Sequence, residues 1–421
     1  MNSRHSGERS PLYLGWVSPA WPAGAMANGI VSYTTTIVSA LQDLGARCHV
    51  FTSRPSDQKL EEFIHITGIT RTPGLSPLMR RLAPQTWPHR SFCTALLREV
   101  RRVHAQEGLE LLELEESFGW ARWLAGKSPV PLVLRLHGPW FLNGAANGAV
   151  PDKAFHQRVR WEGEGLRLAQ AVTAPSRHVL EETRRHYGLD LPDARVIPNP
   201  VQAVALQDRW NLGNCDSNRI AFVGRFDRHK GGDTMVEAFG RIIYQNPEAR
   251  LDFIGPDRGY IDNIGRIWRF DAYLRHVLGE AEQRNVTYHG FQPLSAAAEL
   301  RKRALVTVAP SRYETFGLAA AEAMMAGCPL VVCDGGALTE LVQDGRNGLV
   351  ARAEDADDVA AKVLSLLNDP PRAAQLGAQA AEDAAQRYAP HMVGRMMLDQ
   401  YRDVLGQPRE QPTMSGSAPA T

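Results

Sequence analysis

Short apolar runs recur along the chain, each followed by a stretch with helical spacing. Residues 12–18, 48–52, 64–69, 109–113, 130–136, 171–174 and 195–197 predict strands in the first half. The second half repeats the pattern at 219–223, 251–255, 286–289, 305–309 and 330–333. Between them, helices are expected up to about residue 45, over 155–168, after Ser176, through residue 243, and over 295–303, 355–367, 372–388 and 390–405. Residues 143–151 read as a small-residue loop, and 260–284 as a polar, aromatic helix. Strands alternating with helices predict α/β domains built on doubly wound parallel sheets, whose ligands lie beyond the carboxyl ends of the strands. The pattern runs twice, with Pro198-Asn199-Pro200-Val201 and a polar cluster up to Asp216 marking the linker. The expected domains are residues 1–205 and 206–389, with a disordered tail over 407–421.

Composition narrows the partners. The chain has 421 residues, 47 basic and 46 acidic, and a net charge of +1, which argues against nucleic acid as the main partner. No run is long enough to cross a membrane, because the most apolar window is broken by Gly327 and Pro329. The leader MNSRHSGERSP lacks the apolar core of a signal peptide, so a cytoplasmic location is expected. Five cysteines without a CxxC pair predict free thiols. No GxGxxG fingerprint appears, which counts against a nicotinamide or flavin dehydrogenase. The segment 71–102 predicts a loop and then a basic helix that packs one face on the core and solvates Arg90, Arg98, Arg101 and Arg102. The alternative for residues 80–102 is an edge laid against an anionic membrane or a lipid-linked acceptor. Asp355-x-Asp357 stands at a helix start, where acidic residues favour the dipole, so no metal site is expected.

The chemistry concentrates in residues 311–340, SRYETFGLAAAEAMMAGCPLVVCDGGALTE. A strand delivers the chain to a loop at Tyr313–Phe316, and Gly317 opens a helix rich in Ala and Met. The amides near Phe316, Gly317 and Leu318 are then unpaired at the positive end of that helix, a setting that binds phosphate. Glu314 and Glu322 flank it with seven residues between them, and carboxylates suit sugar hydroxyls. Upstream, Gly224 and Arg225 follow a strand, and Lys230 comes five residues after Arg225. Arg225 offers a planar fork to phosphate oxygens and Lys230 a mobile point charge.

The Glu314-x7-Glu322 pair resembles the paired-glutamate motif of the retaining family 4 glycosyltransferases, which have the GT-B architecture of two Rossmann-like domains facing across a cleft. GRFDRHKG (224–231), GALTEL (336–341) and DGRNGLV (344–350) follow the family pattern in the expected order. The resemblance covers the second half densely and the first half loosely. It implies a nucleotide diphosphate sugar as donor (UDP-, GDP- or ADP-linked), and no cofactor or metal. The acceptor would be a glycan, a lipid-linked acceptor or a small molecule; the membrane alternative for residues 80–102 would make the protein peripheral to the inner face of a membrane. It also implies that helix 390–406 crosses back onto the first domain.

The same resemblance assigns roles. Arg225, Lys230 and the amides at 316–318 would stabilise the departing diphosphate; Glu314 would orient the donor sugar and Glu322 would hold the ribose. His137, just past a strand's carboxyl end, would contact the sugar. Gly29 is the candidate for acceptor or phosphate contact, where the family often has paired glycines and this chain has Gly24 and Asn28-Gly29. Glu340 is expected near the cleft, although Thr339 replaces the usual Pro of its motif. The competing reading is a catalytically inactive member that binds a nucleotide or glycan; a related epimerase or phosphorylase is a third.

Overall fold

The computed structural model describes residues 11–22, 28–52, 64–68 and 86–407. Seven strands form a first, wholly parallel sheet: β1 (Tyr13–Val17), β2 (Arg47–Thr52), β3 (Ile64–Gly68), β4 (Leu111–Glu115), β5 (Leu132–Arg135), β6 (Ala171–Ala174) and β7 (Arg195–Val196). Their spatial order is β3-β2-β1-β4-β5-β6-β7. A second parallel sheet holds β8 (Asp216–Val223), β9 (Arg250–Ile254), β12 (Val286–Gly290), β13 (Ala304–Ala309), β14 (Leu330–Cys333) and β15 (Leu349–Ala351). Its order is β12-β9-β8-β13-β14-β15. Helices cover both faces, so strands such as β4, β5, β6 and β14 are buried at every position. That is why β6 and β14 read as apolar runs, while β4 and β5 also bury Glu113, Glu115 and Arg135. The order reverses between β1 and β4 and between β8 and β13, which marks the ligand crevice of each sheet.

Two segments differ from the sequence expectation. Residues 143–151 are not all loop, because Trp140–Ala146 is a helix. Its first amide, on Trp140, donates to Glu162 Oε2 at 2.7 Å, a distant partner that local composition does not reveal. Residues 260–284 open with an antiparallel hairpin, β10 (Tyr260–Ile261) and β11 (Ile267–Trp268), before the helix Phe270–Val277. Asp262 organises its turn by accepting from the amides of Ile264 and Arg266 and from the Trp268 indole. The short β15 is an addition that the pattern did not announce.

The basic helix Trp87–Glu107 buries Cys93, Ala95, Leu96, Val100 and Val103, while Arg90, Arg98, Arg101 and Arg102 are exposed. Residues 69–85, which precede it, lie outside the described residues, as do Gly24 and 408–421. No helix among the described residues is long and apolar enough to cross a membrane. All five cysteines are free thiols. Asp355 caps its helix by accepting from Asp358 N, and Asp357 pairs with Arg241.

The last helix, Pro390–Val404, packs on the first domain. Val393, Met397, Leu398 and Tyr401 join Leu14, Trp16, Tyr33, Ile37 and Leu41 in one core cluster. At its centre the buried Glu113 carboxylate accepts from Tyr33 Oη and Tyr401 Oη, each at 2.8 Å. Burial pushes the Glu113 carboxyl up, and Arg135 and the two hydroxyls pull the other way. Removing one donor leaves a buried carboxylate under-satisfied, so Tyr401→Phe should destabilise the protein by about 2 kcal/mol. Chemical denaturation measures this, and an unchanged midpoint would remove the bond from the account of how the helix is anchored.

Candidate active site

Between the two sheets, at the carboxyl ends of the strands, lies a cavity of about 470 Å³. That volume is within the usual range for a small-molecule site. From the second domain it is lined by Gly224, Arg225, His229, Lys230, Glu314, Phe316, Gly317, Leu318 and Glu322; from the first, by Asn28, Gly29, His137, Asn143 and Asn199. Of the residues singled out from the sequence, only Glu340 is not on its wall. A larger groove of about 720 Å³ runs between the helices Gly232–Gln245 and Ala356–Leu367. Its two charged residues, Arg241 and Asp357, are paired with each other, and it brings no phosphate-binding set together.

Backbone geometry explains the convergence. β8 and β13 are paired neighbours, so the loops after them meet. Gly317 has φ +94° and ψ 58°, a left-handed turn into the helix Leu318–Met325, and a Cβ there would lie 2.6 Å from Leu338 Cδ2. Only glycine fits both demands. Gly255, at the end of β9, has φ +148°, and a Cβ would sit 1.9 Å from the Gly224 carbonyl oxygen. The two strand ends can therefore close on each other only without a side chain at Gly255.

The cations are not free-standing. Lys230 Nζ donates to Glu314 Oε1 at 2.5 Å, and Arg225 Nε donates to Asp227 Oδ2 at 2.5 Å. Ser311 Oγ also donates to Glu314, at 2.8 Å. Burial pushes the Glu314 carboxyl up, but Lys230, His229 and these bonds outweigh it and hold the group below its usual range. His229 Nε2 lies 2.7 Å from the Tyr313 carbonyl, so that nitrogen carries the proton. Arg312 forks onto Asp233 with two 2.7 Å bonds and fixes the start of the same loop. Glu322 accepts from the buried Arg301 at 3.3 Å; it is a half-buried, paired residue and not a free solvent-facing one.

The first domain contributes His137 just past β5. Burial, then Arg135, lowers its pKa well below the usual value, so the ring is neutral. Its carbonyl accepts from Thr315 Oγ1 at 2.8 Å, and the Thr315 carbonyl accepts from Ser176 Oγ at 2.8 Å. Gly29 is the first residue of the helix Gly29–Asp43, with Asn28 as its cap. Glu340, expected near the cleft, is on the seam between the domains. Its carboxylate accepts from Arg177 N at 2.9 Å and His178 N at 2.7 Å, closing the N-terminus of the helix Arg177–Tyr187.

Two matches span this architecture: residues 27–203 match glycosyltransferase family 4, and residues 207–383 match glycosyl transferases group 1. The chain is a family 4 glycosyltransferase. Among curated relatives, the D-inositol 3-phosphate glycosyltransferase of Nocardiopsis dassonvillei is 26% identical over 401 residues, covering 90% of this chain and 91% of that one. Its namesake from Xylanimonas cellulosilytica is 28% identical over 406 residues, covering 90% and 93%. The sucrose-phosphate synthase of Thermosynechococcus elongatus superposes with a TM-score of 0.71 at 22% identity, covering 94% of this chain and 99% of that one. Anabaena HepE, solved in complex with UDP and glucose, superposes at 0.67 with 16% identity, covering 93% and 100%. The glycosyltransferase thus has the GT-B fold and belongs to a family of enzymes of glycosyl transfer, which sets aside the epimerase and phosphorylase readings.

Sequence reasoning missed several residues on the wall of this glycosyltransferase's cavity: Asn28, Asn143, Asn199, Gly255, Phe291, Gln292 and Thr315. The Gly255-Pro256 pair at a strand end was one signal, and Asn28 and Thr315 adjoin residues already singled out. The remainder are isolated polar or apolar residues whose meaning depends on distant partners. A pH test follows from the Lys230–Glu314 pair. Because the Glu314 pKa is lowered, the pair's contribution to stability is complete above the ordinary value of 4.5 and is lost as pH falls through the folded value. Lys230→Met should therefore cost on the order of 3 kcal/mol at pH 7. Its deficit in melting temperature should shrink toward pH 4; an equal deficit at both pH values would mean that the ion pair does not hold this loop.

Proposed function

We propose that the enzyme moves a sugar from a nucleotide diphosphate sugar to a hydroxyl of a glycan, lipid-linked or small-molecule acceptor, with retention and without a metal. The observation that carries this reading is the meeting of Arg225, Lys230, Glu314, Glu322 and the Gly317 helix end on one cavity. Negative charge grows on the leaving diphosphate as the glycosidic bond breaks, and donors fixed beforehand at that position lower the barrier. Lys230 spends one N–H on Glu314, and Arg225 spends Nε on Asp227, so two Lys230 protons and the Arg225 Nη groups remain for phosphate oxygens. The helix amides add uncharged donors. Cations supplied by the chain itself at that position support the metal-free reading.

Glu314 is engaged by Lys230 and Ser311, which suits a carboxylate that orients sugar hydroxyls better than one that attacks carbon. In same-face transfer the departing phosphate oxygen takes the acceptor's proton, so no separate base is needed. Glu322, steadied by Arg301, is the group for the ribose hydroxyls, and the exposed Phe291 at the rim offers a surface for the base. His137 contributes a neutral imidazole to the sugar. The names of the relatives make a phosphorylated inositol the first acceptor to try, and the HepE complex makes UDP-glucose the first donor.

Release of nucleoside diphosphate from UDP-glucose, GDP-mannose and ADP-glucose, with inositol 3-phosphate as acceptor, tests the reading, and NMR of the product anomer tests retention. Glu322→Ala should weaken donor binding about tenfold in calorimetry, the worth of a charged hydrogen bond; unchanged affinity would remove Glu322 from the ribose. Turnover should survive excess EDTA, whereas abolition reversed by a divalent ion would overturn the metal-free account.

A further inference from the structure

The loop that carries His137 follows β5, and its amides point onto one buried carboxylate. His137 N donates to Glu116 Oε2 at 2.9 Å and Gly138 N to Glu116 Oε1 at 2.8 Å. Glu116 is the residue just past β4, the neighbour of β5, and is 1% exposed. Glu162, also buried, continues the arrangement by accepting from Trp140 N and from Arg158 Nε. The Arg158 guanidinium lies 3.9 Å from the Trp140 ring centroid and 4.1 Å from that of Phe118. Phe118 has φ +61°, a left-handed conformation that a bulky side chain adopts only when its surroundings impose it.

The opposite side of His137 is held as well. Its carbonyl is bonded to Thr315 of the other domain, and its ring meets Tyr33 edge-on with centroids 4.8 Å apart. The peptide on either side of His137 is thus fixed, by Glu116 through its proton and by Thr315 through its oxygen. A buried carboxylate is costly unless donors compensate, and here the compensating donors are those of the functional loop. Burial raises the Glu116 pKa, and the His137 and Gly138 amides oppose the rise.

We infer that Glu116 is the positioning residue for His137: its carboxylate sets the His137-Gly138 turn, and through it the point at which the imidazole meets the donor sugar. This rests on the reading of His137 as a sugar contact. A carboxylate that only stabilised the domain would lower the melting temperature and leave turnover per folded molecule intact. Positioning acts on the rate, because a small displacement of a contacting group is felt at the transition state more than in binding.

Steady-state kinetics on the full chain, with the fastest-turning donor among UDP-glucose, GDP-mannose and ADP-glucose, make the test. Glu116→Gln should lower kcat about tenfold or more with donor KM unchanged within about twofold. Hydrogen exchange of the peptide spanning residues 136–142 should quicken in the same variant. Glu116→Asp, which keeps both acceptor oxygens, should recover part of the rate, and it serves as the test if the Gln variant fails to fold. In a His137→Ala background, Glu116→Gln should add no further loss. Losses that multiply would overturn the inference alone. A His137→Ala variant with full kcat would sink the sugar-contact reading, and this inference with it.

Discussion

The Lys230–Glu314 ion pair is the contact on which the site depends. It joins two loops that leave neighbouring strands of the second sheet, 84 residues apart in the chain. Its carboxylate is 12% exposed, deep enough that it stays ionised only beside a fixed cation. Around it the loop is tied at successive residues: Ser311 bonds Glu314, Arg312 forks onto Asp233, and the Tyr313 carbonyl accepts from His229. Gly317 then turns the chain so that the helix end faces the cations. One charge pair accordingly sets the direction of the sugar-facing carboxylate and the spacing of the phosphate-facing lysine.

The second partner of that loop is the other domain. Thr315 bonds His137 with its hydroxyl and Ser176 with its carbonyl, and Glu340 closes a helix across the seam. These links are polar and directional. They specify how the domains register and contribute little apolar adhesion, which suits an interface that has to admit ligands. Glu340 is therefore part of how the two halves meet, which accounts for its place in a motif that follows the donor segment.

Much of the architecture was legible from the chain. Parallel strands covered on both faces carry short apolar runs, so β1, β2, β5, β6, β8, β9, β13 and β14 stand out. The donor-side residues lie in short local motifs, where spacing carries meaning. The opaque part consists of acids inside apolar runs. Glu113, Glu116 and Glu162 look like ordinary surface charges until Tyr401, His137 and Trp140 are brought to them from far along the chain. The partners of Glu340 were hidden for the same reason, since the amides it caps precede it by 162 and 163 residues. The hairpin at Tyr260–Trp268 escaped because a single aspartate organises its turn.

The return of the last helix to the first domain has a consequence for biosynthesis. Val393, Met397, Leu398 and Tyr401 complete a core whose other members come largely from the first fifty residues, and Tyr401 supplies one of the two hydroxyls on buried Glu113. While the ribosome is still making the second domain, that core has an uncovered apolar flank and a carboxylate short of a donor. Domains whose residues are contiguous can finish as they emerge, N-terminal first. Here the opening domain is sealed only after the second has been made, and its maturation waits on synthesis of the helix Pro390–Val404.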